Sequence, residues 1–214
     1  MANSVGDVIC PISNSGIGQI VFNSFLMMSF AVKQIEKTDL GKKISLPNLL
    51  LIFGNGRNVG KTTFGCKIVR EVAVNYEVIA IKVSSHFHEL HPQQLILVNE
   101  PNLIIAQETD FQSDKDSSRY LKAGASKAYY VQCNSIGIKD LALWIDENIS
   151  IQMPIVCESA ALGNFIFAGQ SIFIVNSLGS KNKIDYTEAT VIHSEMALGS
   201  LSPILKWKDS KWEK

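Results

Sequence analysis

One short segment of the chain, LLLIFGNGRNVGKTT at residues 49–63, contains three glycines followed by a lysine and two threonines. Glycines allow backbone N–H groups to come close to an anion, because no side chain blocks the approach. In such a segment, Lys61 would pair with the outer phosphates of a nucleotide. Thr62 would provide a hydroxyl ligand for Mg²⁺, and Thr63 would contact an inner phosphate. These residue types in this order indicate binding of a magnesium nucleotide.

Two regular elements must hold this segment in place. Residues 48–53 are almost all apolar and predict a buried strand, and residues 62–75 repeat apolar side chains at helical spacing. A buried strand, a glycine-rich turn and Gly-Lys-Thr at the start of a helix form a phosphate-binding loop, in which the positive end of the helix faces the phosphates. The alternative is a tight turn with a surface lysine. The predicted nucleotide contacts in the loop are Gly54, Asn55, Gly56, Arg57, Asn58, Val59, Gly60, Lys61, Thr62 and Thr63.

The loop is one residue wider than the strict G-x-x-x-x-G-K-[ST] pattern. Its first glycine is Gly54, and Asn55 stands where that pattern has glycine. Arg57 lies inside the loop, where it would face either the nucleotide or a second subunit.

Charged residues at the ends of other predicted strands are candidates for the same site. Glu158 follows an apolar run, and the carboxyl ends of parallel strands border the crevice in which ligands bind. It would hold Mg²⁺ through water or orient the attacking water, which makes Lys61 and Glu158 the predicted catalytic pair. Glu108 ends a comparable run and is the competing acid. Lys82 would add positive charge beside the γ-phosphate, or would extend from its strand end into solvent.

The segment SDKDSSRYLKAGA, residues 113–125, predicts a helix that ends at Gly124. Asp116 and Ser117 are interpreted first as residues that cap its beginning. Arg119 lies one turn further along, from which it would reach either a phosphate or a dimer partner.

Two further groups of polar residues allow more than one interpretation. The spacing of His86, His88 and His91 fits no defined zinc motif, so a flexible polar loop near the active site is preferred to a metal site. The sequence NKID at 182–185 matches a guanine-binding motif, but it lies six residues after the end of the preceding predicted strand. Asn176, at that strand end, is the competing contact to the base.

The remaining pattern alternates apolar strands with amphipathic helices, which is typical of a parallel sheet covered on both faces. The predicted fold is therefore α/β, a mostly parallel β-sheet flanked by helices as in P-loop NTPases. Beyond the elements already given, strands are predicted at 76–83, 102–108, 127–133, 153–158, 171–176 and 188–194, and a helix at 138–149.

Three segments resemble, in order, the landmarks of the molybdopterin-guanine dinucleotide biosynthesis protein B (MobB) family. They are VIAIKVSSHFHE at 78–89, SDKDSSRYLKAGASKAYYVQC at 113–133 and IVCES at 155–159. The wide glycine loop is also similar to that of dethiobiotin synthetase. The chain departs from the MobB pattern at Val83, where histidine is frequent, and at Ser159, where glycine is usual.

The resemblance implies magnesium-dependent binding of a purine nucleotide, GTP or ATP with GTP favoured, and weak hydrolysis. It also implies a homodimer and an accessory role with molybdenum-cofactor proteins. Two alternatives remain open. One is an ATP-dependent ligase of the dethiobiotin-synthetase type, and the other is a non-catalytic protein in which the nucleotide orders a partner-binding surface.

Composition limits the other possibilities. The chain has 214 residues, 46% of them hydrophobic, and a formal net charge of zero, so neither a nucleic-acid partner nor a membrane partner is expected. The four cysteines have no CxxC spacing, which favours reduced thiols in a cytoplasmic protein. Three regions are predicted: 1–45 with an amphipathic helix that packs on the domain or on a second copy, a nucleotide-binding domain at 46–206, and a frayed charged tail at 207–214.

Overall fold

A computed structural model describes residues 43–175, 189–194 and 205–213, which belong to one compact unit beginning at Lys43. The amphipathic helix predicted within the first 45 residues, Asn176, and the motif at 182–185 lie outside the described residues.

Among the described residues, eight strands form one sheet in the order β3-β4-β5-β2-β6-β1-β7-β8. Strands β5, β2, β6, β1, β7 and β8 run parallel to one another, whereas β4 is antiparallel to both of its neighbours, β3 and β5. The mostly parallel α/β sheet predicted from the sequence is therefore confirmed. The strands are β1 (Ile44–Gly54), β2 (Ile79–Ser84), β3 (Leu95–Glu100), β4 (Leu103–Gln107), β5 (Lys127–Cys133), β6 (Ile155–Glu158), β7 (Ile166–Val175) and β8 (Thr190–His193).

Helices cover both faces of the sheet. Within the described ranges they are α1 (Lys61–Val72), α2 (Asp116–Lys122) and α3 (Ile138–Asn148), with a short 3-10 helix at Leu162–Asn164. Leu50 and Ile52 of β1 pack in the cluster that contains α1 and α2. Leu49 and Leu51 point the other way, into the cluster that contains α3. Because β1 is buried on both faces, its sequence is continuously apolar rather than alternating.

Strand β3 was missed by the sequence analysis. Residues 101–102 form the turn that joins it to β4, so the two strands are a hairpin at one edge of the sheet. Leu95, Ile96 and Leu97 are exposed on this strand, and a short apolar run without burial gives no periodic signal.

Most of the charged tail, where fraying was predicted for 207–214, forms a hairpin at residues 206–213. Strands β9 (Lys206–Lys208) and β10 (Lys211–Glu213) form a two-stranded antiparallel hairpin. Trp212 is only 2% exposed, and its Nε1–H donates a hydrogen bond of 2.9 Å to the backbone oxygen of Asn48 in β1. Two tryptophans among charged residues therefore fix this segment on the domain, whereas the charges alone suggested fraying.

The thiols in the described part of the chain are buried and form no disulfide. Burial raises the pKa of Cys66 and of Cys133 to about 11, and it raises the pKa of Cys157 further. These groups are therefore protonated at neutral pH and are poor nucleophiles.

None of the three α-helices in the described ranges has the length and apolar character needed to span a bilayer.

Candidate functional site

The glycine loop connects the end of β1 to the first residue of α1. Gly54 lies so close to β7 that a Cβ there would be 2.5 Å from the backbone oxygen of Ile174. Gly60 precedes α1 with φ of +95°, a left-handed conformation that glycine adopts without strain. The backbone therefore requires glycine at both ends of the loop, at one end for lack of space and at the other for the positive φ. At the start of α1 the first N–H groups have no partner within the helix, so they face the loop as donors.

Lys61 turns back over the loop. Its Nζ donates a hydrogen bond of 2.6 Å to the backbone oxygen of Gly56, and the residue is half-buried. Burial lowers the pKa of the Lys61 amine, and the negative charge of Glu158 partly opposes this shift. An anion bound in the loop would favour the charged amine, because it would add an opposite charge nearby.

Thr62 and Glu158 meet at the carboxyl end of the sheet. The Thr62 hydroxyl donates to Glu158 Oε2 over 2.7 Å, and the two residues are 7% and 4% exposed. The contact arises because β1 and β6 are parallel neighbours, with Ile52 opposite Glu158. A hydroxyl and a carboxylate oxygen are the hard ligands that Mg²⁺ prefers, usually together with phosphate oxygens and waters. These residues therefore fit the predicted Mg²⁺ site.

Lys82 joins two carboxylates. Its Nζ lies 2.6 Å from Glu158 Oε1 and 2.7 Å from Asp116 Oδ2. Register explains the first contact, since Lys82 of β2 is opposite Glu158 of β6. Burial by itself lowers the pKa of Lys82, but the charge of Glu158 and the hydrogen bonds to both carboxylates outweigh it, so the pKa is raised overall. The ammonium is thus held in its charged form beside the loop, and it does not extend into solvent.

Arg119 reaches the loop from α2. Its Nη2 donates to Thr63 Oγ1 over 2.9 Å, and its Nη1 lies 3.4 Å from Asp116 Oδ1. The guanidinium is therefore next to the predicted inner-phosphate contact. Whether it binds a phosphate or a dimer partner remains a prediction.

The capping roles first assigned to Asp116 and Ser117 are wrong. Helix α2 starts at Asp116, its N-cap residue is Lys115, and no side chain caps it. Asp116 pairs instead with Lys82, and Ser117 donates to Glu108 Oε2 over 2.6 Å. Both side chains are used for tertiary contacts, which a local sequence pattern does not reveal.

Glu108, the competing acid, has its hydrogen-bond partners away from the glycine loop. It follows the antiparallel strand β4, is 3% exposed, and accepts hydrogen bonds from Gln94 and from the N–H groups of Thr109 and Asp110 as well as from Ser117. Burial alone would raise the pKa of Glu108, but these hydrogen bonds lower it overall. Glu108 therefore acts as an anchor for the surrounding loops.

The histidine loop between β2 and β3 is tied to the sheet. The His88 N–H donates to Gln132 Oε1 over 2.6 Å, and Gln132 Nε2 donates back to the His88 backbone oxygen over 2.9 Å. Gln132 is fully buried in β5. The expected flexibility is therefore restricted at His88. Among the described residues, no group of three or more His, Cys, Asp or Glu side chains could hold a metal ion.

The other predicted loop positions differ in exposure. Val59 is buried and packs in the cluster on the α1 face, whereas Arg57 and Asn58 are exposed, with Asn58 at φ of 59°. The Asn55 N–H donates to the Ile174 backbone oxygen over 3.3 Å and so closes the turn against β7. A contact of Arg57 with the nucleotide or with a second subunit stays a prediction.

Several polar residues that the sequence analysis did not select line a cavity of about 390 Å³ beside Lys82 and Asp116. Among them are Gln94, Lys115 and Tyr130. A signal in the sequence was Gln132, a polar residue between Val131 and Cys133 of strand β5.

An eight-stranded, mostly parallel sheet with helices on both faces is consistent with a P-loop-like α/β fold. No protein-family model, curated protein or solved structure matches the chain. The resemblance to the MobB family therefore depends on the three sequence segments alone and stays a prediction.

Proposed function

We propose that this protein binds a magnesium-bound purine nucleotide, with GTP favoured over ATP, and hydrolyses it slowly. The observation that carries the proposal is the buried hydrogen bond of 2.7 Å between Thr62 and Glu158, directly beside the glycine loop and Lys61. A buried carboxylate, a helix-start hydroxyl and a lysine at one end of a parallel sheet are the groups that phosphoryl chemistry uses.

Each side chain has a role that follows from its position. Lys61 would leave the Gly56 oxygen to pair with the outer phosphates, and Arg119 would add positive charge near Thr63. Lys82 orients the Glu158 carboxylate by donating a hydrogen bond to Oε1, so that Oε2 faces Thr62. When bound between Thr62, Glu158 and the phosphates, Mg²⁺ would neutralise negative charge on the phosphates.

The preference for GTP and the accessory role in molybdenum-cofactor biosynthesis, with a molybdenum-cofactor protein as partner, are proposed on the resemblance to the MobB family. Asn176 and the motif at 182–185, the candidate contacts to the base, lie outside the described residues.

A homodimer is part of the proposal. Strand β3 is at the end of the sheet order, and its Leu95, Ile96 and Leu97 are 55%, 47% and 43% exposed. An apolar edge strand is a surface on which a second copy can continue the sheet.

Phosphate release from Mg·GTP and Mg·ATP tests the proposed activity, with Thr62→Ser and Thr62→Val as a matched pair. Serine keeps the hydroxyl that contacts Glu158, whereas valine keeps the branched shape without it. We expect Thr62→Ser to retain turnover and Thr62→Val and Lys61→Ala to lose at least about tenfold, the equivalent of about 1.4 kcal/mol in the barrier. Turnover that is the same in all four proteins would contradict the proposal, because it would come from another site or a contaminant.

A further inference from the structure

A polar cavity adjoins the proposed nucleotide site. Its volume is about 390 Å³, and Lys82 and Asp116, which contact the nucleotide site, also line it. Pockets for small molecules occupy about 300–1,000 Å³, so the cavity suits a small ligand.

Buried polar side chains hold the walls of this cavity in place. Gln132 fixes the backbone of His88 through two hydrogen bonds of 2.6 and 2.9 Å. Glu108 holds Gln94 and Ser117, which both line the cavity, over 2.9 and 2.6 Å. A buried polar group is stabilising only when its hydrogen bonds are made, so the wall geometry is specified by these two residues.

The lining of the cavity offers several hydrogen-bond donors that an anion could accept from. Five of them can donate hydrogen bonds from nitrogen: Lys82, Lys115, His88, His91 and Gln94. Of the two carboxylates in the lining, Asp116 already pairs with Lys82, which also binds Glu158, so Glu89 stands against Lys115 and the neutral donors. Tyr130 adds an aromatic ring for the carbon part of a ligand.

We propose that this cavity binds a small organic anion, a hydroxylated carboxylate or phosphate ester, as a second substrate beside the nucleotide. The inference rests on the proposed nucleotide function. Lys82 links the two sites, since its ammonium contacts Glu158 at one site and Asp116 at the other. An anion in the cavity would give Lys82 a new partner and leave Glu158 more available to Mg²⁺. The anion and the magnesium nucleotide should therefore strengthen each other's binding reciprocally.

The test uses glycerate and glycerol 3-phosphate as separate probes on the full chain. The side-chain NMR signals of His88 and His91 report binding in the cavity, and calorimetry measures the affinity for a Mg²⁺-bound non-hydrolysable GTP analogue with and without each probe. We expect millimolar binding of at least one probe and an increase of about fivefold or more in nucleotide affinity. Lys115→Ala should weaken probe binding about tenfold. The control Lys122→Ala, an exposed lysine at the last residue of α2 and outside the cavity lining, should not change it.

Each outcome separates the two proposals. Nucleotide binding without any response of the histidines to either probe overturns the second-substrate site and leaves the nucleotide function standing. Probe binding that does not change nucleotide affinity contradicts the link through Lys82. Probe binding without nucleotide binding refutes the proposed function, and the role as second substrate with it.

Discussion

Glu158 and Glu108 are both buried carboxylates that follow apolar strands, yet the structure gives them different partners. Glu158 meets Thr62 and Lys82 because its strand lies between β1 and β2. Glu108 follows an antiparallel strand and binds the loops around the polar cavity. The sequence predicted an acid at each strand end, but their different contacts depend on strand order and direction, which single residues do not encode.

Acid stability should depend on Glu108. Its pKa is lowered from the ordinary value of 4.5, because the hydrogen bonds to the carboxylate outweigh the opposing effect of burial. A lowered folded-state pKa means that the stabilisation is present above pH 4.5 and is lost as pH falls through the folded-state value. We expect Glu108→Gln to cost about 1–3 kcal/mol at neutral pH and to reduce the loss of stability below pH 4.5.

Urea unfolding at a series of pH values measures this difference. Glu100→Gln, an exposed position at the end of β3, is the control and should follow the native curve. Glu108→Gln should keep some acid sensitivity, because Asp116 also contributes to it. Burial raises the pKa of Asp116, but the hydrogen bond and the charge of Lys82 lower it overall. Parallel curves for native protein and Glu108→Gln would contradict the proposed role of Glu108.

At the scale of elements, the position of the glycine loop is determined by the strand before it and the helix after it. Strand β1 and helix α1 were predictable because one is continuously apolar and the other repeats at helical spacing. The β3–β4 hairpin and the C-terminal hairpin were not predicted as such. The β3–β4 hairpin was not recognised because the leucines of β3 are exposed. The C-terminal hairpin was not recognised because Trp212 lies among charged residues. Elements of the core were therefore more predictable than those at the edges.

Two glycines in the loop should respond differently to alanine. A Cβ at Gly54 would lie 2.5 Å from the Ile174 backbone oxygen, whereas one at Gly56 would meet only Val59 Cγ1 at an ordinary 3.5 Å. We expect Gly54→Ala to destabilise the protein by about 1–3 kcal/mol through overpacking. Gly56→Ala should change stability by less than about 0.5 kcal/mol. Denaturant unfolding measures both, and equal values for the two variants would contradict the close approach of β1 to β7.

At the scale of the whole molecule, the sheet determines which residues can share a site. Parallel neighbours β2, β6 and β1 bring Lys82, Glu158 and Thr62 into contact although they are far apart in the chain. The alternation of strands and helices was sufficient to predict the mostly parallel sheet. The order of the strands was not predictable, since it depends on packing between distant segments, and the cavity walls depend on that order.

The apolar edge of the sheet leads to a prediction about assembly. We expect the native protein to be a dimer by sedimentation equilibrium and Ile96→Lys to be a monomer, because charge on an edge strand opposes pairing. Leu143→Lys, a partly exposed apolar position on α3, is the control and should stay dimeric. A native monomer, or an Ile96→Lys dimer, would contradict self-association through β3.

The central claim is that the loop at residues 54–60, with Lys61, binds the phosphates of a magnesium nucleotide. Isothermal titration of Mg²⁺-bound non-hydrolysable GTP and ATP analogues into native protein and into Lys61→Ala measures this most directly. We expect the native protein to bind with one site per chain, to prefer the GTP analogue and to need Mg²⁺, and Lys61→Ala to bind at least about tenfold more weakly. The absence of binding by native protein, or equal affinity in the two proteins, would contradict the account.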